Sequence, residues 1–546
     1  MSPSTGAGRV LRSPAVGLLL LLLVQGFFLH FWPTFHPANE SIRFYFVESV
    51  VHDGTLSVDP ALRRYGLPNI DAAAVNGRMY MDKAPGLALA AIPVYRILRL
   101  VFPPPDSAGA PIFVLVRLFT VSLICVLALA RFARRLLLRQ EWQPVAPIVT
   151  FAVAFGTPFL YYARSFFGHA WTASLLFLAW DALSDGSASA SERRRQRAVA
   201  VAGLLAGWAV ISEYTVAPVA VALAVRAAIS SPGRPRARTF FWFAGGAAIP
   251  IALLLVYQAV CFGSPFLPSY AREAYPAYAE LARRRFFGFE LPSAKIAFDY
   301  VFHPARGILL FSPFFLWAGV GFARWWRDRR QRADGVFALT ATLATFVLLT
   351  GYPNWHGGWA LGSRYLLPLL FLPAAALPWA LGSPLSRGLF VTASVFSAGT
   401  HVLETSSWPH FPVDLSWPVA TGSTWFLERG WVAPNLGAAA GAGATASLLL
   451  PVAAAAAALL LSVRAAKPLS PAAPVGLLLG IAALIVLCLR APQPTYVARL
   501  WRSAIYGAYS GLDPTRAELK RVVRAAATPR ERQQALGTWR VYGTRP

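Results

Sequence analysis

The sequence is a succession of apolar runs near 20 residues long, each separated from the next by a short polar or basic stretch. A run of that length spans the roughly 30 Å hydrocarbon core as a helix, and in lipid every backbone polar group must be satisfied within its own segment. The pattern commits the chain to an all-α polytopic membrane fold. Hydrophobic residues make up 56% of it and charged residues only 14%, so little material is left for a water-soluble domain. Cys125, Cys261 and Cys488 all fall inside apolar runs and read as small buried hydrophobes, implying neither a disulfide framework nor a metal site.

A formal net charge of +26 would suit a nucleic-acid binder, but its placement argues against that partner. The arginines cluster at the ends of apolar runs, as at Arg131, Arg134, Arg135 and Arg139, at Arg193, Arg194, Arg195 and Arg197, and at Arg324, Arg327, Arg329 and Arg330. Basic ends kept on the cytoplasmic side orient membrane helices, so the charge is a topology signal.

Arg9 and Arg12 precede the run Ala15 to Trp32, which reads as an uncleaved anchor with a cytoplasmic N-terminus. Residues 33–109 then form one external loop. The apolar stretch Ala84 to Phe102 is interrupted by Pro93, Arg96 and Arg99; were it to cross, the Arg131–Arg139 cluster would end up outside. It is expected to lie in the outer interface. Further spans are expected at 110–130, 144–163, 166–183, 199–212, 214–229, 240–262, 307–323, 335–351, 362–381, 388–405, 436–462 and 472–490, about thirteen in all. The division is a transmembrane module at 1–405 with a second external loop at 263–306, an external loop and two spans at 406–490, and an external, mostly helical tail at 491–546. In the tail Asp513-Pro514 reads as a helix cap, and the small residues of Gly437 to Ala458 read as helix-packing material.

The stretch Pro37 to Pro93 stands out as polar in an apolar chain. It carries Asn39-Glu40, Arg43 one helical turn on, and Asn76-Gly77, Tyr80 and Asp82-Lys83-Ala84-Pro85-Gly86. Under this topology it shares the outer face with Arg164 and His169, with Tyr270, Arg272, His303 and Arg306, and with His356 and Arg364. Ionisable groups near span ends should face a cavity or a partner, given an insertion cost of about 2.5–3.5 kcal/mol each. Cations around one or two carboxylates make an anion pocket with a base in it, which suits a phosphorylated lipid. Glu40 fits the base, Lys83, Arg306, Arg364 and His169 the phosphate site, and Arg43, Tyr80, Asp82, Arg164 and His356 the remaining contacts.

The first loop, with its acidic pair after the first span and N-G-x-x-Y-x-x-K-x-P before a short apolar run, resembles membrane glycosyltransferases of the GT-C type. It is most similar to the branch of protein O-mannosyltransferases and lipid-A aminoarabinose transferases. The family's Asp-Glu pair falls on Asn39-Glu40 and its Lys-Pro-Pro on Lys83-Ala84-Pro85; Tyr161-Tyr162-Ala163-Arg164 to His169 is similar to its second polar loop. Phe302-His303-Pro304-Ala305-Arg306-Gly307 and Trp355-His356-Gly357-Gly358-Trp359 to Arg364-Tyr365 resemble segments of bacterial members. The resemblance covers roughly residues 10 to 405. It implies an inner (cytoplasmic) membrane enzyme that moves a sugar from a polyprenyl-phosphate donor to a lipid, glycan or protein acceptor on the outer face, with Glu40 as catalytic base and Asn39 beside it. Asn39 replaces the usual aspartate and cannot take a proton. No cofactor is called for, and a divalent metal is left open.

Plainer readings stand beside these. Glu40 can favour the first turn of its helix, Asn39-Glu40-Ser41 matches a glycosylation sequon by chance, Lys83 can snorkel to the interface, and Glu213, at a hairpin tip, can pair with an arginine. Two rival functions are a lipid-linked sugar transporter or flippase and a non-catalytic envelope protein that binds glycan. A transporter would place polar or broken helices in related halves at the midplane, whereas here the polar groups sit in outer loops.

Overall fold

A computed structural model of the chain describes residues 38–65, 71–106, 110–187, 191–229, 236–285, 288–466, 472–490, 493–510 and 516–543. The expected anchor Ala15 to Trp32 and the cap Asp513-Pro514 lie outside the described residues.

The external loop opens with helices α1 (Ala38–His52) and α2 (Asp59–Tyr65), a hairpin of strands β1 (Ala72–Val75) and β2 (Arg78–Met81), and helix α3 (Gly86–Leu98). The bundle then runs through α4 (Pro111–Leu137), which contains a π turn at Leu118–Ser122, α5 (Ala146–Phe155), α6 (Gly168–Ser187), α7 (Glu192–Ser212), α8 (Ala217–Ile229) and α9 (Arg236–Phe262). The second outer loop holds α10 (Pro276–Arg283) and α11 (Ala294–Phe302). After it come α12 (Leu316–Arg327), α13 (Arg332–Leu349), the broken helix α14 (Phe371–Ala380), α15 (Pro384–Ser406), α16 (Ala444–Ala466) and α17 (Ala472–Leu489). The tail contributes α18 (Tyr496–Tyr509), α19 (Ala517–Arg524) and α20 (Pro529–Thr538).

Among the described residues, five helices are long and apolar enough to cross a membrane: Pro111–Leu137, Arg236–Phe262, Arg332–Leu349, Ala444–Arg464 and Ala472–Leu489. Those expected at 166–183, 199–212 and 388–405 are present as α6, α7 and α15, but charges and buried hydroxyls keep them from standing out as apolar. The helix expected at 362–381 is broken into a 3-10 turn at Arg364–Leu369 and two short α turns, because Pro368, Pro373 and Pro378 interrupt its hydrogen-bond ladder. Lipid-facing surfaces are plain on α9, where Phe241, Ile249, Val256 and Val260 are exposed, and on α17, where Leu478, Ile485 and Val486 are.

Close helix contact comes from glycines. A Cβ on Gly203 of α7 would lie 2.0 Å from the Phe243 carbonyl of α9, and one on Gly246 of α9 would lie 2.0 Å from the Ala200 carbonyl. Only small residues let two backbones approach so closely. The Ala-rich helix α16 turns Leu449, Leu450, Val452 and Leu460 outward and packs Ala454, Ala455 and Ala458 against the bundle.

Helix α3 has 13 residues, about 20 Å of length, which is too short to span. Its far end exposes Ile97, Leu100 and Val101, an apolar tip suited to an interface. The all-α expectation misses the β1–β2 hairpin, paired antiparallel in the register Ala72 to Met81 and Val75 to Arg78. Its turn residues Asn76 and Gly77 have φ of 51° and 75°, the left-handed pair that Asn-Gly supplies in a two-residue hairpin. The tail lies on the same side as the turn at 352–365, since Trp359 packs against Trp501 and Tyr542 with ring centroids 5.5 and 6.1 Å away.

Candidate active site

Asn39 and Arg43 are four residues apart on α1 and so share a face. Arg43 Nη1 donates to the Asn39 carbonyl at 2.7 Å and also to Asn39 Oδ1. The pair is therefore self-organised, and the guanidinium is buried with Glu213, Tyr270, Asp82 and Asp71 in electrostatic range. Burial holds the Arg43 guanidinium below its ordinary value.

The hairpin delivers Asp82 and Lys83 to the same place. Lys83 Nζ lies 2.5 Å from Asp82 Oδ2 and 3.4 Å from Asp71 Oδ2, with the Tyr270 ring centroid 5.9 Å away. Burial alone would push the Lys83 ammonium down, but Asp71 and Asp82 hold it well above its ordinary value. The second outer loop is tied to the first: Ala274 N donates to the Ala72 carbonyl at 2.8 Å, Glu273 forms a β-bridge with Ala73, and Ser269 Oγ donates to the Asp82 carbonyl. This contact sets the Glu273 carboxyl against Asp82. Burial, then the Asp82 charge, pushes Glu273 up to about 10, so at neutral pH it holds a proton that the pair can share.

A carboxyl raised in the folded state favours folding below its unfolded value of 4.5 and loses that contribution as pH rises through about 10. Glu273→Gln keeps a donor there without titrating. Its melting temperature relative to wild type is expected to rise between about pH 5 and about pH 9, measured in detergent. A constant difference would refute the shared proton.

The third and fourth contributions come from the bundle. His169 is the second residue of α6, and Glu213 ends α7; His169 Nδ1 lies 3.2 Å from Glu213 Oε1. Arg43, Arg364 and Lys83 all act on the Glu213 carboxylate. Arg364 follows the glycine turn of residues 357–362, with its guanidinium over the rings of Phe167 and Tyr365 at 5.5 and 5.2 Å. Gly357 has φ of +69°, and a Cβ there would lie 2.5 Å from Arg364 Nε, so the glycine makes room for the side chain.

The structure thus brings together Asn39, Arg43, Asp82, Lys83, His169 and Arg364. It places the other expected residues differently. Glu40, expected as base, accepts from Arg117 Nε at 2.6 Å and Phe166 N at 2.5 Å, both on Oε1, and is 2% exposed. A carboxylate so held joins α1, α4 and the loop before α6. Arg306, expected on a phosphate, donates to the carbonyls of Phe411, Gly358 at 3.3 Å and Ala305 at 3.2 Å, and burial lowers it to about 10. His356 Nδ1 accepts from Gly358 N at 3.0 Å, and burial, with Arg306 and Arg364, lowers it to about 4, so it is neutral at physiological pH. Arg164 is fully buried 5.8 Å from the Tyr161 ring centroid, and Tyr80 packs on Phe262 at 5.8 Å. Among the described residues no group of three or more His, Cys, Asp and Glu side chains is placed to hold a metal.

Sequence reasoning passed over Asp71, Glu273 and Arg117 and left Glu213 as a pairing residue. Asp71 and Glu273 sit in loops with no motif around them, and Arg117 stands alone in the apolar first half of α4, well before the basic end at Arg131. Its one signal is that such a charge needs a partner.

No protein-family model matches the sequence, and no curated protein matches it. Among solved structures, the chain is similar to the crystal structure of ArnT from Cupriavidus metallidurans bound to undecaprenyl phosphate. The two are 14% identical, with a TM-score of 0.50, and the match covers 96% of this chain and 82% of that one. The chain has the GT-C fold. Two crystal structures of an oligosaccharyltransferase from Archaeoglobus fulgidus, one with Zn and sulfate and one apo, match with TM-scores of 0.35 and 0.36 at 14% and 13% identity. They cover 71% and 90% of this chain, which matches 50% and 59% of theirs.

Proposed function

We propose that this GT-C protein transfers a sugar from a polyprenyl-phosphate donor to a lipid, glycan or protein acceptor at the outer face of the cytoplasmic membrane. The observation that carries the proposal is the convergence of Arg43, Lys83 and Arg364, from three separate segments, on one buried acidic site. Three fixed cations suit the charge that develops on a leaving phosphate, and their low-dielectric setting makes that help larger than it would be in water. Lys83 offers a point charge and the arginines planar forks. The apolar tip of α3 at Ile97, Leu100 and Val101, at the end of the helix away from Lys83, gives the loop a surface suited to membrane lipid. The likeness to ArnT, crystallised with undecaprenyl phosphate, supports this donor class. N-terminus inside and tail outside is the orientation this reading requires.

The test is the full chain in nanodiscs with a panel of radiolabelled undecaprenyl-phosphate hexoses and pentoses. Release of undecaprenyl phosphate from at least one donor is the expected result. Saturable binding of a donor with no release from any, in the presence of a membrane lipid and glycan extract as acceptor, would overturn transfer in favour of binding or transport.

A further inference from the structure

We infer that Glu213 is the carboxylate that takes the acceptor's proton in this transfer, with His169 and the start of α6 holding it in place; the inference rests on the transferase reading above. The base of a displacement at the anomeric carbon has to lie within one sugar's width of the groups that hold the leaving phosphate. Glu213 shares the site with those groups, since Arg43, Arg364 and Lys83 all act on its carboxylate and its Oε1 lies against His169 at the start of α6. Glu40 is already engaged by Arg117 and Phe166 through Oε1.

The Glu213 side chain is 13% exposed, buried enough to be fixed and open enough to be reached. Its backbone at φ −149°, ψ 102° breaks away from α7, which turns the side chain back toward α6. There a Cβ on Gly168 would lie 2.5 Å from Oε1, so the carboxylate rests on the first residue of a 20-residue helix, a contact that any larger side chain at position 168 would displace. Burial raises the Glu213 carboxyl above its ordinary value while Arg43, Arg364 and Lys83 pull against it, and the N-terminal end of the helix favours its charge; a carboxylate raised in this way takes a proton more readily than an exposed one. The His169 ring packs against the carboxylate, with Nδ1 3.2 Å from Oε1, and limits where it can swing. His169 is therefore a positioning residue.

In the step, the acceptor hydroxyl oxygen forms a bond to the anomeric carbon while its proton passes to Glu213. The bond from that carbon to the phosphate oxygen breaks, its electron pair leaving on the phosphate held by Lys83 and the two arginines. No oxidant, reductant or further reactant enters.

The experiment uses the full chain in nanodiscs with whichever undecaprenyl-phosphate sugar the wild type turns over. Glu213→Gln, of the same size, is expected to lower kcat about a hundredfold or more with donor KM within about threefold. Azide has no proton to lose, so adding it should restore release of undecaprenyl phosphate in Glu213→Gln, with glycosyl azide formed. Glu213→Asp keeps the charge among its cations but draws the carboxylate back, and is expected to fold as wild type and lose turnover about tenfold or more. Turnover of Glu213→Gln within a few-fold of wild type would overturn the assignment, as would a failure of azide to rescue it. If Glu213→Gln does not fold, full activity of Glu213→Asp overturns it. A wild type inactive on every donor overturns the transferase reading instead, and this assignment falls with it.

Discussion

Arg117→Leu is expected to destabilise the folded protein by about 3–5 kcal/mol, the range for removing one partner of a buried ion pair. Arg117 and Glu40 are 4% and 2% exposed, with Nε to Oε1 at 2.6 Å, and the same carboxylate oxygen accepts from Phe166 N. The Arg117 guanidinium also lies 4.9 Å from the Phe44 ring centroid, so the leucine loses a ring contact as well as a charge. What makes the change severe is the Glu40 carboxylate left behind, still buried and with its cation gone. Glu40→Leu in the same chain removes that uncompensated charge, so the double variant is expected to recover a good part of the loss. Thermal unfolding of the four proteins in one detergent measures the coupling. Additive single effects would mean that the two residues do not depend on each other, and Glu40 would then be available for catalysis after all.

The same pair shows where sequence reading stops. Asn39, Glu40 and Arg43 were legible as a group because α1 is short and their spacing puts Asn39 and Arg43 on one face. Asp82 and Lys83 were legible because a charged doublet beside Ala-Pro-Gly has little other reason to stand at the start of an apolar helix. That Glu40 belongs to Arg117 depends on packing across 77 residues of chain, and nothing in either local sequence encodes it. Glu213 reached the site the same way, through the contact of α6 with α7. The hairpin had a signal in Asn76-Gly77, but the strands around it are four residues long and one is almost all alanine, a weak strand former. The bundle was legible in outline, and its weaker spans were not. Pro368, Pro373 and Pro378 break one of them, while buried Ser394, Ser397, Thr400, His401 and Glu404 make α15 look polar although it packs in the interior.

Lys83→Ala is expected to lower sugar transfer by about a hundred- to a thousandfold, the effect of removing one fixed group that stabilises developing charge. The loss should be larger than that of a cation alone, because Lys83 also neutralises its neighbours. Asp82 lies 2.5 Å and Asp71 3.4 Å from its ammonium, and Glu273 faces Asp82. Without the lysine these carboxyls present net negative charge to an anionic donor, so donor KM should rise along with the fall in kcat. Acid should relieve part of the defect: burial raises the Asp82 carboxyl, and protonating it removes repulsion, so the ratio of Lys83→Ala to wild-type activity should increase as pH falls from about 8 to about 5.5. Lys83→Arg keeps the charge but brings a planar fork where a compact ammonium sits between two carboxylates, and partial recovery is expected. Release of undecaprenyl phosphate over that pH range decides the point. A Lys83→Ala protein with donor KM and turnover near wild type would reduce Lys83 to a structural ion pair that pins the hairpin, and Arg43 and Arg364 would then have to hold the phosphate between them.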